Sequence, residues 1–578
     1  MQHYPHYPTR RIVDLNGFWE FSWLGDADWD GVTPDGFRPE TVMAVPGVFD
    51  TLPTYGRKRG IGIYRKHLPD DFEPGERLRL KIDGMGLFGR AWFDGKHIGD
   101  CKLPYSRVHY DLTVEAAGPH ELVVAIDNRF DKKRTPLFNP NYDFYAYGGF
   151  YRDVALHRLP PCAIDRVHVT PLDIDAGTVR LAIRLDGNVP ATCAFSVSFD
   201  GGRAQEFERP LQDGRIKLEL TVPNHRVWSP DTPELHTVEV RIPSDAVRER
   251  FGMRTVRTEG QEILLNGEPI ELRGFNRHES HPQLGPSQTP ALMLEDVQWL
   301  KSMGCNFVRC VHYPQYERFL GLCDEMGILV WTESLGWGNR AEELANEHFM
   351  DLQEQQTRLM VRNGFNHPSV IIWAFLNEAE SNTEQALPLY GRLTRAIRDE
   401  DPSRLVSYAS NRRTQDLCFD LVDVISLNTY PGWIGQVDWE TPSTEAIAPH
   451  IEQLVQSFCG DSPHADKPLL FSEIGTCGIY GWHDLAGSQW TEEYQAEYMV
   501  TAAQAVLENP RTCGVTLWQF FDTRSYGPRG QVRVKPRGMN NAGVLDEYRR
   551  PKLARAAVGK LFTARQRPAH PRPSSDRR

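Results

Sequence analysis

Val370-Ile-Ile-Trp-Ala-Phe-Leu376 is the longest uninterrupted apolar run in the chain, and Asn377 and Glu378 follow it directly. Seven apolar residues suit a buried strand, whereas a helix that spans a membrane needs about 20. Helical spacing begins a few residues later, near 384. The stretch therefore predicts one strand and helix unit of a parallel sheet, with two polar side chains at the end of the strand.

The same alternation repeats from about residue 256 onward. It predicts eight strands, at 270–276, 306–311, 328–333, 370–376, 404–409, 424–429, 467–473 and 515–521. Helical spacing lies between and after them, at 293–300, 319–326, 341–362, 384–399, 443–458, 491–508 and 551–563. Eight such repeats predict a (β/α)8 TIM barrel, whose active site lies at the carboxyl ends of the strands.

The first 255 residues have a different texture. Short alternating runs such as 78–82, 121–126, 179–185 and 217–222 are separated by Gly, Asp, Asn and Pro, which is typical of antiparallel β-sandwiches. The Leu159-Pro-Pro161 break predicts a seam between two of them. We therefore expect a multidomain β and α/β protein with a first sandwich at 1–160, a second at 161–256, the barrel at 257–565 and a flexible tail at 566–578.

Composition narrows the classes of function. The 578 residues carry 65 basic and 77 acidic side chains, and the net charge of −12 repels nucleic acid and anionic membranes alike. The N-terminus lacks the apolar segment of a signal peptide, and the ten cysteines are scattered without a CxxC pair. We expect a cytoplasmic protein with reduced, mostly buried thiols, no membrane span and no nucleic-acid partner.

Two glutamates stand out at the predicted strand ends. Glu378 follows the fourth strand and Glu473 ends the seventh, nearly opposite each other across a barrel. Either one alone is explained by an ion pair with a nearby arginine. Both together, with Tyr430 and Trp518 beside them, match the two carboxyl groups that cleave glycosidic bonds and the aromatic surfaces on which sugars pack. The sequence therefore predicts a glycoside hydrolase that acts on an oligosaccharide or other glycoside.

Four blocks of sequence resemble the signatures of glycoside hydrolase family 2, which includes β-galactosidases, β-glucuronidases and β-mannosidases. They are 273–279 (RGFNRHE), 311–314 (VHYP), 366–378 (NHPSVIIWAFLNE) and 467–473 (KPLLFSE). The resemblance implies a jelly-roll sugar-binding domain, an immunoglobulin-like domain and a catalytic barrel, in the order expected above. It also implies a retaining exo-β-glycosidase, in which Glu473 is the nucleophile and Glu378 the general acid and base.

Further site residues follow from the same resemblance. Asn377 is expected to bind the 2-hydroxyl of the sugar, and Tyr430 to orient the nucleophile. Asp143 is expected to reach the barrel pocket from the first domain. Additional contacts with the sugar are assigned to His278, His312, Asn428, Trp518 and Asn540. No cofactor is expected. Some β-galactosidases bind Mg²⁺ after strand 3, but the segment 333–337 (ESLGW) has no histidine, so we predict no metal.

The sugar itself stays open between a β-galactoside and a β-glucuronide. The glucuronidase branch binds the substrate carboxylate with an Asn-x-Lys motif, but here Asn540 is followed by Asn541 and Ala542. A β-galacturonidase or another uronidase without this lysine is the alternative. It would draw its cation from the preceding stretch, which contains Arg529, Arg533, Lys535 and Arg537.

Two further points concern class and assembly. A rival reading is a carbohydrate-binding protein on an inactive barrel, which predicts the loss of one catalytic acid, whereas both acids are present. A homo-oligomer stays open, because no feature of the sequence fixes a subunit number.

Overall fold

The structure is a computed structural model that describes residues 4–56, 58–131, 133–136, 144–433, 444–525 and 535–566. We call residues 4–159 the first β region, 162–251 the second β region and 272–564 the barrel. No helix of the described residues is long and apolar enough to cross a membrane. All ten cysteines are free, and eight of them are buried.

The first β region consists of two larger antiparallel sheets packed face to face and a ribbon formed by its fourth and eleventh strands. Its strands are β1 (Ile12–Asp14), β2 (Gly17–Gly25), β3 (Thr41–Val45), β4 (Gly47–Val48), β5 (Ile61–His67), β6 (Arg77–Ile82), β7 (Phe88–Phe93), β8 (Lys96–Cys101), β9 (Val108–Thr113), β10 (Glu121–Asp127), β11 (Gly149–Phe150) and β12 (Val154–Leu159). One sheet has the order β1-β12-β6-β9 and the other β3-β2-β5-β10-β7-β8. Leu78, Leu80 and Ile82 alternate along β6 and point into the core between the two sheets.

The second β region is a smaller sandwich that follows Pro160 and Pro161. Its strands are β13 (Cys162–Asp173), β14 (Thr178–Gly187), β15 (Thr192–Phe199), β16 (Gln205–Pro210), β17 (Arg215–Thr221), β18 (His236–Ile242) and β19 (Asp245–Phe251). They form sheets β13-β14-β17 and β16-β15-β18-β19. A small sheet then leads to the barrel: β20 (Val256–Glu259), β21 (Glu262–Leu265) and β22 (Glu268–Pro269).

Eight parallel strands close into a barrel, which confirms the predicted TIM fold. They are β23 (Leu272–Arg277), β24 (Phe307–Cys310), β25 (Leu329–Trp337), β26 (Val370–Asn377), β27 (Leu405–Ser410), β28 (Ile425–Asn428), β29 (Leu469–Ile474) and β30 (Thr512–Leu517), followed by the ribbon β31 (Thr523–Arg524) and β32 (Met539–Asn540). The helices are α1 (Pro290–Ser302), α2 (Glu317–Met326), α3 (Ala341–Leu344), α4 (Glu347–Gly364), α5 (Ala386–Glu400), α6 (Ile447–Gln456), α7 (Glu492–Leu507) and α8 (Leu553–Ala564).

Two predicted elements differ from the observed ones. The helix expected at 341–362 is broken in two, because the Asn346 side chain accepts a hydrogen bond from Phe349 N at 3.0 Å and starts α4 anew. The eighth strand ends at Leu517 rather than at 521. Beyond it the backbone of Gln519 bonds to Ala542 O at 2.9 Å, and Phe520 and Phe521 are buried outside the barrel sheet.

Candidate active site

The two predicted catalytic glutamates, at the carboxyl ends of β26 and β29, are both neighbours of Asn428 in β28. Glu473 lies opposite Asn428 in the register of β28 and β29. Asn428 Nδ2 in turn donates to Glu378 Oε1 at 2.9 Å and to Asn377 Oδ1 at 3.1 Å. Glu378 is partly exposed and Glu473 is 3% exposed. Two carboxyl groups therefore converge on the same end of the barrel, 95 residues apart in sequence (473 minus 378).

The backbone at the end of β26 adopts the left-handed conformation at two residues. Leu376 and Glu378 have φ values of 53° and 51°, a region that costs a non-glycine residue about 1–3 kcal/mol. The turn is held by a bond from Glu378 N to Ala409 O at 3.0 Å. Strain of this kind persists where surrounding contacts fix it, and here both Asn377 and Glu378 accept from the same Asn428 amide.

Arg309, at the end of β24, joins four strands beneath the two glutamates. Its guanidinium is fully buried and donates to Glu473 Oε1 at 2.6 Å and to Asn377 Oδ1 at 2.9 Å. It also forms a bidentate pair with Glu333 at 3.0–3.1 Å. Burial alone would lower the pKa of Arg309, but the carboxylates of Glu333 and Glu473 raise it above its ordinary value. A permanent positive charge therefore lies beside the predicted nucleophile.

Glu333 completes this buried charge network from β25. Besides Arg309 it accepts hydrogen bonds from Trp331 Nε1 at 2.7 Å, and it lies 2.8 Å from His312 Nδ1. Burial would raise the pKa of Glu333, but Arg309, His312 and Trp331 together lower it below its ordinary value. Glu333 therefore stays ionised and fixes the His312 ring.

Tyr430 contacts the second oxygen of Glu473. Its hydroxyl donates to Glu473 Oε2, so each oxygen of that carboxylate has a donor, one from Tyr430 and one from Arg309. The Tyr430 ring packs edge-on against Trp433 with centroids 5.1 Å apart. Hydrogen bonds to both oxygens fix the orientation of the carboxylate, as a positioned nucleophile requires.

Three predicted sugar contacts keep polar atoms toward the pocket. Among the described residues, Asn377 Nδ2, His278 Nε2 and His312 Nε2 are buried and have no hydrogen-bond partner. Buried donors and acceptors without partners are uncommon in folded proteins, so each needs an explanation. A bound sugar hydroxyl would supply the missing partner at each of these atoms.

Aromatic and imidazole rings form one wall of this pocket. Trp518 stacks on His312 with centroids 5.6 Å apart and meets the His278 ring edge-on at 5.8 Å. The ring of Phe144, from the first β region, has its centroid 5.4 Å from that of His278 and 6.1 Å from that of His312. The predicted site residue Asp143 lies outside the described residues. Its neighbour Phe144 shows that the first β region reaches the pocket wall.

The lysine position of the Asn-x-Lys motif is apolar here. Ala542 is fully buried in a cluster with Val311, Cys477 and Trp518, and its N–H donates to Asn540 Oδ1 at 3.2 Å. A cation approaches this cluster from another direction. The ammonium of Lys535 lies 5.8 Å from the centroid of the Trp433 ring, which borders the same cluster.

The pKa of His278 is consistent with a Lys535 ammonium group close to the pocket. Burial is the main cause that holds the pKa of His278 well below its ordinary value, and nearby charges, including that of Lys535, lower it further. Arg537 already has partners, because it pairs with Glu547 at 3.0 Å and donates to Asn541 Oδ1 at 3.0 Å, and its side chain is 46% exposed. The other two candidate cations, Arg529 and Arg533, lie outside the described residues.

A buried ion pair holds the loop that carries Asn540. Lys552 Nζ donates to Asp522 Oδ1 at 2.7 Å and to the carbonyl oxygens of Gly478 and Asn541 at 2.6 and 3.1 Å. Asp522 Oδ1 also accepts from Gly543 N at 2.9 Å. Both charged side chains are fully buried, so the pair joins the loops after β29 and β30 to the loop at 540–543.

Lys552→Met is therefore expected to lower the free energy of unfolding by about 3–5 kcal/mol, because it leaves Asp522 buried without its cation. Urea denaturation followed by fluorescence measures the loss. Arg550→Met is the matched control: Arg550 pairs with Asp546, but its side chain is 54% exposed. Equal destabilisation by the two substitutions would contradict the role assigned to the buried pair.

Sequence reasoning assigned no role to two residues of this network, Arg309 and Glu333. The available signal was a charged residue inside the short buried strand β24. Two other polar groups at the end of β23 have structural partners instead: Arg277 pairs with Asp296 at 2.8 Å and Glu279 with Arg152 at 2.8 Å. No group of three or more His, Cys, Asp or Glu among the described residues is placed to hold a metal ion.

A TIM barrel with two carboxyl groups converging at its carboxyl end, ringed by buried amides, imidazoles and aromatic rings, defines a glycoside hydrolase. The chain belongs to glycoside hydrolase family 2. Family models described as "Glycosyl hydrolases family 2, TIM barrel domain" and "Glycosyl hydrolases family 2" match residues 256–563 and 162–254. It is thus an exo-β-glycosidase of this family.

Relatives of known specificity cover nearly the whole chain. A β-galacturonidase from Eisenbergiella tayi, solved with bound galacturonate, is 31% identical with a TM-score of 0.86 and covers 96% of this chain and 98% of its own. The β-glucuronidase of Sus scrofa is 27% identical, covering 94% of this chain and 91% of the relative. A Ruminococcus gnavus β-glucuronidase in complex with D-glucaro-d-lactam is 25% identical with a TM-score of 0.84, covering 97% of this chain and 98% of its own.

Proposed function

We propose that this protein is a retaining β-uronidase that releases a terminal β-galacturonosyl residue. The observation that carries the reaction type is the pair of carboxyl groups around Asn428, with Glu473 held between Arg309 and Tyr430 and with Glu378 partly exposed. A carboxylate with donors on both oxygens suits a nucleophile, and a partly exposed carboxyl suits proton exchange with leaving group and water.

In the proposed reaction Glu473 attacks the anomeric carbon while Glu378 donates a proton to the departing glycosidic oxygen. The carbon–oxygen bond to the aglycone breaks and an ester bond to Glu473 forms. Glu378 then removes a proton from water, which attacks the same carbon and releases Glu473. The unpartnered Nδ2 of Asn377 is the proposed donor to the 2-hydroxyl, and Asn428 orients Glu378.

Two observations support a uronide over a neutral sugar. The relatives reported above are uronidases, and Lys535 brings an ammonium group to the rim beside Trp433. A local cation is what a carboxylated sugar requires in a chain with a net charge of −12. The galacturonide is preferred because the galacturonidase is the most identical of those relatives. A β-glucuronide is the second candidate, favoured by the curated glucuronidases.

A panel of 4-nitrophenyl β-glycosides tests the substrate. We expect the highest kcat/KM with the galacturonide, a lower value with the glucuronide and the lowest values with the galactoside and glucoside. Proton NMR of the first turnovers is expected to show the β-anomer of the released sugar. Preference for the galactoside would contradict the uronidase proposal, and an α-anomer would contradict retention.

Lys535→Met is expected to lower kcat/KM for the galacturonide by about 10- to 100-fold, because it removes a charge-assisted bond to the substrate carboxylate. The galactoside, which has no carboxylate, should be affected little. Arg537→Met is the matched control. It removes a positive charge two residues away, from a side chain that is already paired with Glu547. Equal losses on the galacturonide and the galactoside would refute a role for Lys535 in carboxylate binding.

A further inference from the structure

A cavity of about 420 Å³ lies where the first β region, the second β region and the barrel meet, away from the catalytic glutamates. One wall is the outer face of the sheet β1-β12-β6-β9, where Lys81 lies between His109 and Ala155 in register. Such a face is usually open to water. Here β13, β19, α2 and α4 cover it, and the space left is of the size that holds small ligands.

Most acidic groups around this cavity already have cationic or hydrogen-bonding partners. Asp83 accepts from Arg107 at 2.7 Å, Asp324 lies 2.6 Å from His367 Nδ1, and Asp165 accepts from an arginine of β6 at 3.0 Å. Glu249 adds little negative charge for a different reason: burial raises its pKa to about 8, so it is mostly uncharged near pH 7. Little unbalanced negative charge therefore faces the cavity.

The basic groups are less fully partnered. The Arg166 guanidinium comes no closer than 3.7 Å to a described carboxylate, that of Asp165, which is too long for a hydrogen bond. The side chains of His109 and His157 make no hydrogen bond to a described residue, although both line the cavity. The hydrogen-bond donors in the cavity that lack a partner among the described residues thus belong to three side chains, those of Arg166, His109 and His157.

Nearby cations make the potential at these imidazoles positive. Burial is the main cause that lowers the pKa of His157 to about 3, and the charges of Lys81, Arg10 and Arg107 add to it. His109, an exposed residue of the neighbouring strand β9, also has its pKa lowered, by desolvation where its ring faces the cavity and then by Arg107. Each ring is therefore neutral at pH 7 and still offers one N–H donor.

We propose that this cavity binds a small anion carrying a carboxylate or phosphate group, with Arg166 as its main ligand and His109 and His157 as additional donors. A planar guanidinium without a carboxylate partner matches the two oxygens of either group. The site is separate from the catalytic pocket, so its ligand need not be a substrate.

Isothermal titration of the full chain with inorganic phosphate, D-galacturonate and D-galactose tests the proposal. We expect phosphate or galacturonate to bind at the cavity and galactose not to bind there. Arg166→Met should weaken that binding by about tenfold or more, and Arg166→Lys by less. The control is Arg184→Met, since Arg184 lies opposite Arg166 in β14, has a side chain 43% exposed and does not line the cavity.

Galacturonate that binds in the barrel contributes equally to the Arg166→Met and Arg184→Met titrations, so a difference between the two variants reports the cavity alone. Both variants should keep kcat/KM for a nitrophenyl glycoside, which also shows that they fold. Loss of phosphate binding identifies a phosphate-bearing ligand, and loss of galacturonate binding identifies a sugar acid. Equal affinities in the two variants, or no binding of either anion, would overturn the proposal.

Discussion

Glu473→Ala should lower kcat on 4-nitrophenyl β-galacturonide by about 10⁴-fold or more, because it removes the carboxylate that is proposed to attack the anomeric carbon. Arg309 keeps its bidentate pair with Glu333, so the barrel should still fold. Glu473→Gln retains the shape of the side chain and a hydrogen-bond acceptor for Arg309. It should be nearly as inactive, since an amide is a poor nucleophile.

Sodium azide distinguishes a nucleophile from a residue that merely supports the site. In Glu473→Ala the small anion can enter the space left by the carboxylate and attack the anomeric carbon from that face. The expected product is an α-glycosyl azide, identified by NMR, with partial recovery of the rate. Near-full activity of Glu473→Ala without azide would refute the assignment.

Glu378→Ala should show losses that depend on the leaving group. With a phenyl or alkyl galacturonide, whose departing oxygen needs a proton, kcat/KM is expected to fall by about 10²- to 10⁴-fold. With 2,4-dinitrophenyl galacturonide, whose leaving group needs no proton, kcat/KM should fall much less. Hydrolysis of the glycosyl-enzyme should then limit kcat, and azide should accelerate it and give a β-glycosyl azide.

A matched control for this variant lies two residues away. Glu380 accepts a hydrogen bond from Ala341 N at 2.8 Å at the start of α3, outside the network of the two proposed catalytic glutamates. Glu380→Gln should therefore keep the leaving-group dependence of the parent. If Glu378→Ala lost the same factor on both substrates and did not respond to azide, Glu378 would not be the general acid and base.

The barrel could be predicted because its signal is local. The clearest strand, Val370–Asn377, is a run of apolar residues up to its last position, and it is buried at every position. A parallel strand covered on both faces leaves no polar position in its interior, so a polar residue at its end is conspicuous. The same rule predicted that Glu378 and Glu473 lie at the same end of the barrel.

The network beneath those glutamates could not be predicted in this way. Arg309 bonds to residues 24, 68 and 164 positions further along the chain, and it reaches them only because closure of the barrel brings the carboxyl ends of β24, β25, β26 and β29 around one centre. Equally polar neighbours, such as Arg277 and Glu279, bind structural partners instead. The spacing of residues along the sequence does not show which partners such side chains bind.

The sequence by itself predicted the barrel architecture and singled out the two strand-end glutamates. It also showed that position 542 holds alanine instead of the lysine of the Asn-x-Lys motif. Burial periodicity and residue chemistry are local properties, so they can be read along the chain. Only the tertiary structure decided that Lys535 approaches the pocket while Arg537 turns to Glu547, and that Lys552 and Asp522 hold the loop of Asn540. Those outcomes depend on charges from distant segments that compete for the same partners, and folding alone brings them together.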